Sequence, residues 1–332
     1  MIKYRFLFLF FSLLILFVSY QQLESYQIQA LLLRDINSSN YDQTTFDLIK
    51  DKKLNFPSLG VTSLPLMSMQ AEYFFRNHQY EKSIEFLYES QDVNPYIGLT
   101  EHYLSINYDR LGIKDSFYIN AKKAFKKIPN NDAHFGYYAK ALNQRGQTDS
   151  IIIEFEKIKD KKMPKVWTYF LSSLTSKDGY DSILKVYGNE ARKIFKSPSE
   201  ELDLIINYSI YGRDNMLKAD SLFDIANDLV IKEQYEKSFE YYTNAIEIYP
   251  NNHLYYENLG IAYSKDNQFK KGLEYFKYVI DNINPKNGKN EFYASLAYFN
   301  MKNEEKGCEF LNEALKFNYG PAIQLNKQKC RK

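Results

Sequence analysis

The side chains that most often carry out chemistry are scarce in this sequence and too widely spaced to act together. None of the four histidines has another histidine or a cysteine three or four residues away: His78, His102, His134 and His253. That spacing is the one that places two helical side chains on a single metal ion. We therefore predict no metal site, and we expect each histidine to be an ordinary polar residue of a helix or a turn.

Phosphate-binding and nucleophilic motifs are not found either. The segment Gly288, Lys289 and Asn290 lacks the upstream glycine and the hydroxyl residue that a Walker loop uses to hold phosphate and magnesium. Acidic side chains are numerous, but they are spread over predicted helix faces, where they usually form solvated pairs with lysine. The sequence therefore predicts no catalytic residue, no cofactor and no enzymatic activity.

The charge balance excludes another class of partner. The chain has 332 residues, of which 43 are basic and 41 acidic, and the two signs are scattered along its length. Nucleic acid binding requires a basic stripe or patch. We therefore expect no nucleic acid partner.

The two cysteines, Cys308 and Cys330, are too few for a disulfide framework or a four-ligand zinc site. They could form one disulfide if this part of the chain lies in an oxidising compartment. The interpretation that we favour is two free thiols, one packed on a helix and one in the tail. Sequence spacing by itself does not establish the Cα approach that a disulfide needs.

Residues 1–23 form a targeting segment, in which Lys3 and Arg5 precede an apolar run from Phe6 to Val18. A secretory signal needs small residues before its cleavage site, and residues 17–22 offer none that fit, so we expect an uncleaved anchor. The alternative is a cleaved signal peptide, because the run is shorter than the roughly 20 apolar residues of a membrane span. The positive-inside rule places the residues after Glu24 across the membrane.

Prolines beyond Pro65 recur at nearly constant intervals. The intervals are 34, 35, 34, 52, 35 and 36 residues, between Pro95, Pro129, Pro164, Pro198, Pro250, Pro285 and Pro321. A period of 34 residues is the length of two antiparallel helices closed by a proline. The predicted fold class is therefore all-α, an α-solenoid of antiparallel helix pairs.

Small residues recur where the two helices of each pair would cross. They are Ala226, Gly260 and Ser295 on the first helix, and Ser238, Gly272 and Gly307 on the second, followed by Ala245, Val279 and Ala314. Small side chains let two helices approach closely. On these residues, the segment 219–321 resembles tetratricopeptide repeats. The segment 64–198 resembles them more loosely, because Phe117 and Ile151 stand at the second crossing position.

The repeat phase divides the chain into a membrane segment (1–23), a spacer (24–63), a first array (64–198), an insertion (199–218), a second array (219–321) and a basic tail (322–332). The insertion holds an extra helix predicted over Glu200–Tyr211, because the 52-residue interval exceeds one repeat by about half a repeat. We expect a hinge at residues 212–215. Because repeat arrays need polar caps, the N-terminal end of the first array is covered by the spacer or docks on a partner.

The resemblance also indicates which residues line the concave groove. Alignment with the repeat gives these candidate peptide-binding residues: Phe223, Asn227, Ile231, Asn258, Ile261, Lys289 and Phe292. An exposed apolar strip suits a peptide with bulky side chains, for which Ile231, Ile261 and Phe292 are the expected anchors. Some family members bind a C-terminal carboxylate through a clamp. This sequence keeps part of the clamp in Asn227, Asn258 and Lys289, but Phe223 and Tyr293 stand where the clamp needs cations.

These observations lead to one principal hypothesis and several alternatives. The principal one is a non-catalytic, membrane-anchored scaffold in the periplasm of a bacterial cell envelope that binds a protein or peptide partner. The first alternative is an accessory subunit of a surface-polysaccharide enzyme complex, because residues 94–96, 121–125 and 129–131 faintly resemble repeat tails of bacterial proteins that build such polymers. A secreted form released by signal cleavage, and self-association through an aromatic convex face, also remain open.

Overall fold

The computed structural model describes most of the chain, namely residues 2–54, 58–175, 177, 179–283 and 285–330. Of residues 2–6 only the backbone is described, so the side chains of Lys3 and Arg5, on which the predicted orientation depends, lie outside the described part. Arg331 and Lys332 of the predicted basic tail also lie outside it.

The described part of the chain is all-α, as predicted, and no β-strand is found in it. Its helices are α1 Ile2–Ser38, α2 Gln43–Ile49, α3 Leu66–Arg76, α4 Tyr80–Glu89, α5 Leu99–Arg110, α6 Lys114–Lys127, α7 Asp132–Gln144, α8 Thr148–Glu156, α9 Pro164–Thr175, α10 Asp181–Ile194, α11 Glu200–Tyr211, α12 Arg213–Ile231, α13 Tyr235–Ile248, α14 His253–Lys265, α15 Phe269–Tyr278, α16 Lys289–Asn300, α17 Glu304–Lys316 and α18 Gly320–Lys329. A π-helical turn, Val279–Ile283, continues α15. The range of α11 is the one predicted for the extra helix.

Six three-residue turns join the two helices of a pair, and all have the same backbone conformation. The middle residue of each is left-handed: His78, Gly112, Gly146, Glu233, Asn267 and Lys302. The residue after it donates its N–H to a carbonyl five residues earlier, as Gln234 does to Leu229 at 2.9 Å. This is the helix-ending motif in which one left-handed residue reverses the chain. Glycine adopts that conformation without strain, yet four of the six positions hold another residue.

The small residues predicted at the crossings lie at tight contacts between paired helices. A Cβ added to Gly260 would stand 2.6 Å from the ring of Phe276, and one added to Gly307 would stand 2.5 Å from Phe299. At Gly272 the obstacle is the backbone oxygen of Gly260, at 2.7 Å. The spacing of small residues therefore identified the crossings because these positions leave no room for a side chain.

The chain divides into two compact units, each with its own core. Unit 1 comprises Met1–Asp178 and Ile194–Leu202, and unit 2 comprises Gly179–Lys193 and Asp203–Lys332. Within unit 1, the ring of Phe155 on α8 stacks on that of Phe170 on α9, with centroids 3.7 Å apart. The helix pair expected between Pro164 and Pro198 contributes α9 to unit 1 and most of α10 to unit 2.

The segment that we expected to be a spacer, 24–63, packs against the first repeat of unit 1. Helix α1 continues past the apolar run, and its buried residues Ile28 and Leu32 join Phe46 and Ile49 of α2 in the core that also holds α3. Tyr73 of α3 donates its hydroxyl to Asp35 of α1 at 2.8 Å. The end of unit 1 is covered by these two helices, because the apolar residues of α1 recur at a four-residue spacing on one face.

The far end of unit 2 corrects the favoured interpretation of the cysteines. Residues 320–329, which we had assigned largely to a basic tail, form α18, which packs on α17. This packing brings the Cα atoms of Cys308 and Cys330 to 5.6 Å, and the two residues form a disulfide. The separation lies within the range that a disulfide requires. The sequence did not indicate the bond because it did not indicate that α18 folds back.

Candidate functional site

The candidate groove of unit 2 is formed by the first helices of its three repeats. Helices α12, α14 and α16 each contact the next, while their partners α13, α15 and α17 lie behind them. Because each partner is joined by a three-residue turn, the first helices of successive pairs run in the same direction. The structure thus brings the seven predicted peptide-binding residues onto three neighbouring helices.

On α12, two of the three candidate residues are engaged in contacts inside unit 2. The ring of Phe223 lies 5.8 Å from that of Tyr242 and 5.1 Å from that of Tyr255, and it packs in both neighbouring cores. The side-chain oxygen of Asn227 accepts a hydrogen bond from the hydroxyl of Tyr242 at 2.7 Å. Ile231, in the last turn of the helix, is 77% exposed.

On α14, Asn258 donates its side-chain amide to the carbonyl of Leu254 within the same helix, at 2.9 Å. Ile261 is half-buried and lies one turn before the end of α14, while Ile231 lies at the end of α12. Because the two helices run in the same direction, both isoleucines lie toward the same end of the groove. They form the accessible apolar part of the predicted anchor set.

On α16, Lys289 forms an ion pair with Glu257 of α14, whose side chain is fully buried. The side-chain amide of Asn290 donates to the other carboxylate oxygen at 3.1 Å. Burial lowers the pKa of Lys289, but the hydrogen bond and the charge of Glu257 outweigh burial and raise it above its usual value. The charge of Lys289 is therefore engaged in joining α14 to α16.

Phe292, the last predicted anchor, also packs inside the unit. Its ring lies 5.6 Å from Tyr293 and 5.3 Å from Tyr319, the residue before α18. It borders the core formed by Leu311 and Ala314. A change of Phe292 would therefore perturb the C-terminal cap as well as the groove.

The polar residues that remain of the carboxylate clamp all have partners within the protein. Asn227 is bonded to Tyr242, Asn258 to its own helix and Lys289 to Glu257. A peptide carboxylate would have to replace these bonds and would meet the negative charge of Glu257. The geometry consequently favours apolar contacts at Ile231 and Ile261 over recognition of a carboxylate.

The corresponding surface of unit 1 is polar and internally paired. Lys140 of α7 donates to Asp109 of α5 at 2.6 Å, and Arg76 donates to the buried Glu72 at 2.8 Å. Burial raises the pKa of Glu72, against the opposing effect of Arg76. This surface therefore has fewer accessible apolar side chains to offer than the end of α12.

Two histidines that the sequence treats separately come together in unit 1. The rings of His102 on α5 and His134 on α7 lie 5.0 Å apart, beside the ring of Tyr137. Burial, and to a lesser extent the charge of His134, lower the pKa of His102 to about 3. Burial likewise lowers the pKa of His134. Within the described residues, no group of three or more metal-ligating side chains is found.

The structure adds a feature that the alignment missed. Helix α12 begins at Arg213, almost two turns before the first repeat position at residue 219, and this extension exposes Leu217. The signal was available in the sequence, because no helix-breaking residue follows Gly212 before the repeat begins.

Comparison with known proteins agrees with the repeat architecture. The tetratricopeptide repeat family matches residues 241–274, from α13 through most of α15. No match is found among curated proteins.

Many solved structures are similar to this chain at low identity and low TM-score. A tetratricopeptide repeat protein from Parabacteroides merdae is 12% identical, with a TM-score of 0.36, covering 80% of this chain and 98% of its own. The TPR2AB domain of yeast Sti1, in a complex with pHSP90, is 14% identical, with a TM-score of 0.32 and coverages of 79% and 95%. YrrB, described as having an unusual peptide-binding site, is 17% identical, with a TM-score of 0.31 and coverages of 62% and 97%.

The family match falls in the middle of three consecutive helix pairs with the same turns, two of which also have tight crossings at glycine. Helix pairs joined by the same left-handed turn also make up unit 1. The chain therefore contains a tetratricopeptide repeat at residues 241–274, within a row of helix pairs joined by the same turn.

Proposed function

We propose that this protein is a non-catalytic scaffold that binds a protein or peptide partner in the groove of α12, α14 and α16. The repeat fold is one that serves protein interaction. The observation that carries the proposal is the exposure of Ile231 at the end of α12, with the half-buried Ile261 on the neighbouring helix α14. Apolar side chains in a concave surface with polar neighbours are typical of a peptide-binding site.

We further propose that α1 anchors the scaffold in a membrane. One helix of the described chain is long and apolar enough to cross a bilayer, over residues 7–38. The large apolar side chains of residues 7–18 are exposed and touch no other part of the protein extensively. Lipid would remove this apolar surface from water.

The disulfide supports an extracytoplasmic location for the repeats. Bonds of this kind persist in oxidising compartments and are rare in the cytosol. The bond between Cys308 and Cys330 closes the end of unit 2, on the side of the chain that the positive-inside rule places across the membrane. The same argument holds if the first residues are removed after export, so the mass of the mature protein distinguishes an anchor from a signal peptide.

The binding proposal is tested by quantitative capture of the full chain from membranes solubilised in mild detergent. We compare the natural chain with Ile231→Asp and with a matched control, Val186→Asp, on α10, where the valine is 65% exposed. A protein that is about tenfold depleted by the first change and retained by the second is the expected client, because truncating an anchor commonly costs this much affinity. Equal recovery with both variants would contradict the groove.

The identity of the captured protein also addresses the alternative function. Enzymes of surface-polysaccharide synthesis among the depleted proteins would show that the scaffold serves as their accessory subunit. A depleted protein of another class would leave the scaffold proposal standing without that alternative.

A further inference from the structure

The loop between α2 and α3 has an apolar tip held by its own backbone. We call residues 58–65 the α2–α3 loop. Gly60 donates its N–H to Leu64 at 2.9 Å, and Ser63 donates to Gly60 at 2.9 Å. The side chains at the tip point outward, with Val61 69% exposed and Leu59 38% exposed. The turn, whose backbone is held by these two hydrogen bonds, therefore exposes apolar side chains at its tip.

The α2–α3 loop is attached to α1 as well as to the start of α3. The N–H of Val61 donates to the side-chain oxygen of Gln29 at 3.2 Å. An open cleft of about 500 Å³ separates the loop from α1, lined by Ser19, Gln22, Leu23, Tyr26, Gln29, Leu59, Gly60 and Val61. The polar side chains of α1 that follow its apolar run, Ser19, Gln22 and Gln29, thus face the loop.

The position of the loop along α1 can be compared with the thickness of a bilayer. A span of about 20 residues that begins near the start of α1 ends close to Leu23. Tyr26 and Gln29 then lie about 5 and 9 Å further along the axis, at 1.5 Å per residue. The headgroup layer is about 5–7 Å thick on each side, so it includes the level of Tyr26 and ends before Gln29. The cleft that the loop borders begins at Ser19 and spans this layer. The α2–α3 loop therefore lies at the level of the headgroups.

Two neighbouring features mark the same level. Tyr20 and Tyr26 are exposed on α1, and aromatic side chains of this kind are enriched where a span meets water. Glu24, the first charged residue after Arg5, forms an ion pair with Lys52 at 2.6 Å. The pair compensates a carboxylate at the boundary of the apolar layer.

We infer that the α2–α3 loop is a second membrane contact, in which Leu59 and Val61 enter the boundary between headgroups and acyl chains beside α1. The inference rests on the proposed membrane anchor. The occupant is lipid because the exposed apolar tip borders the same cleft as Leu23 and Tyr26, where α1 leaves the apolar layer. Contact at two points fixes the orientation of unit 1 to the bilayer, whereas a single helix would leave it free to turn.

The inference is tested with a fluorophore that reports membrane depth. The two native cysteines are bonded to each other, so Val61→Cys supplies the only free thiol for an environment-sensitive label. The labelled full chain is reconstituted in phosphatidylcholine vesicles that contain a lipid with a nitroxide near the top of its acyl chains. Val186→Cys, carrying the same label at a site of similar exposure on α10, is the matched control.

The expected result is blue-shifted emission and about a twofold loss of intensity at position 61, with little change at position 186, because interfacial side chains lie only 5–10 Å deep. Unquenched emission at position 61 in chains that float with the vesicles overturns the inference and leaves the anchor intact. Chains that do not float overturn the anchor itself. A blue shift without quenching by the nitroxide, which weakens when unlabelled chain is added, indicates contact with a second copy of the chain. That result also overturns the lipid contact.

Discussion

The ion pair between α14 and α16 gives a prediction that separates a structural lysine from a peptide-binding one. Lys289→Met removes the cation and keeps most of the aliphatic volume of the side chain. Glu257, whose side chain is fully buried, then retains only the amide of Asn290 as a partner. The carboxylate is left charged and poorly compensated in the contact between two repeats.

Removing one member of a buried ion pair usually costs about 3–5 kcal/mol, because the remaining charge is unpaired. The Lys289 side chain is 33% exposed, so water reaches part of the site after the change. We therefore expect a loss of about 3 kcal/mol in the free energy of unfolding, the lower end of that range. Replacing Glu257 by leucine in the same chain is expected to recover much of the loss, because no unpaired charge remains.

The assay is denaturant unfolding followed by far-ultraviolet circular dichroism, with hydrogen exchange of α16 as the local readout, because separate repeats need not unfold together. Lys265→Met, at an exposed position at the end of α14, is the matched control and is expected to change stability by less than about 0.5 kcal/mol. If Lys289→Met behaves like this control while partner capture falls, the lysine serves the partner and our structural assignment is wrong.

Three further predictions concern the pH dependence, the turns and the disulfide. Because folding raises the pKa of Lys289, the lysine contributes stability that is fully present below its unfolded pKa of 10.5. This stability is lost as the pH rises through the folded pKa, so the natural chain and Lys289→Met should converge in stability in strongly alkaline buffer. Glu233→Gly is expected to raise stability by about 0.5–1 kcal/mol because it relieves a left-handed backbone, whereas Gly112→Ala is expected to lower it by about 1 kcal/mol; thermal unfolding measures both. Cys308→Ser is expected to cost about 3 kcal/mol for a loop of this size, measured as faster hydrogen exchange in α18 without a change in α12, and equal exchange in α18 would show that packing alone holds the cap.

The repeat architecture could be predicted because the same sequence pattern recurs at a nearly constant interval. Proline intervals gave the period, and the small residues at Gly260, Gly272 and Gly307 gave the phase, since each lies where another side chain would collide with a neighbour. The extra helix α11 was predictable for the same reason, as the remainder after a whole repeat. Regular local geometry carries this information in a short stretch of sequence.

The ends of the chain were not predictable in this way. The packing of α2 on α1 and α3 depends on Phe46 and Ile49, two apolar residues in a polar stretch with no repeat to reveal their place. The disulfide depends on α18 folding back onto α17. Such contacts join segments that are not related by the period, so their formation is decided by tertiary packing rather than by local pattern.

The candidate groove was predicted in position but not in chemistry. Alignment placed seven residues on three neighbouring helices, and the structure keeps them there. It also shows that Phe223 and Phe292 pack in cores and that Lys289 is paired with Glu257. A repeat position indicates which face a side chain occupies, whereas its neighbours depend on residues about 34 positions away that differ from one repeat to the next.

The most direct test of the account is a photo-crosslinking amino acid placed at position 231 of the full chain in its native cells. Position 186, similarly exposed on α10, carries the same group as a control. We predict one discrete crosslinked protein from position 231 that is absent from position 186, and that is lost when Ile261→Asp is added. The same crosslinks from both positions, or none from position 231 while the chain is folded and in the membrane, would contradict binding in the groove.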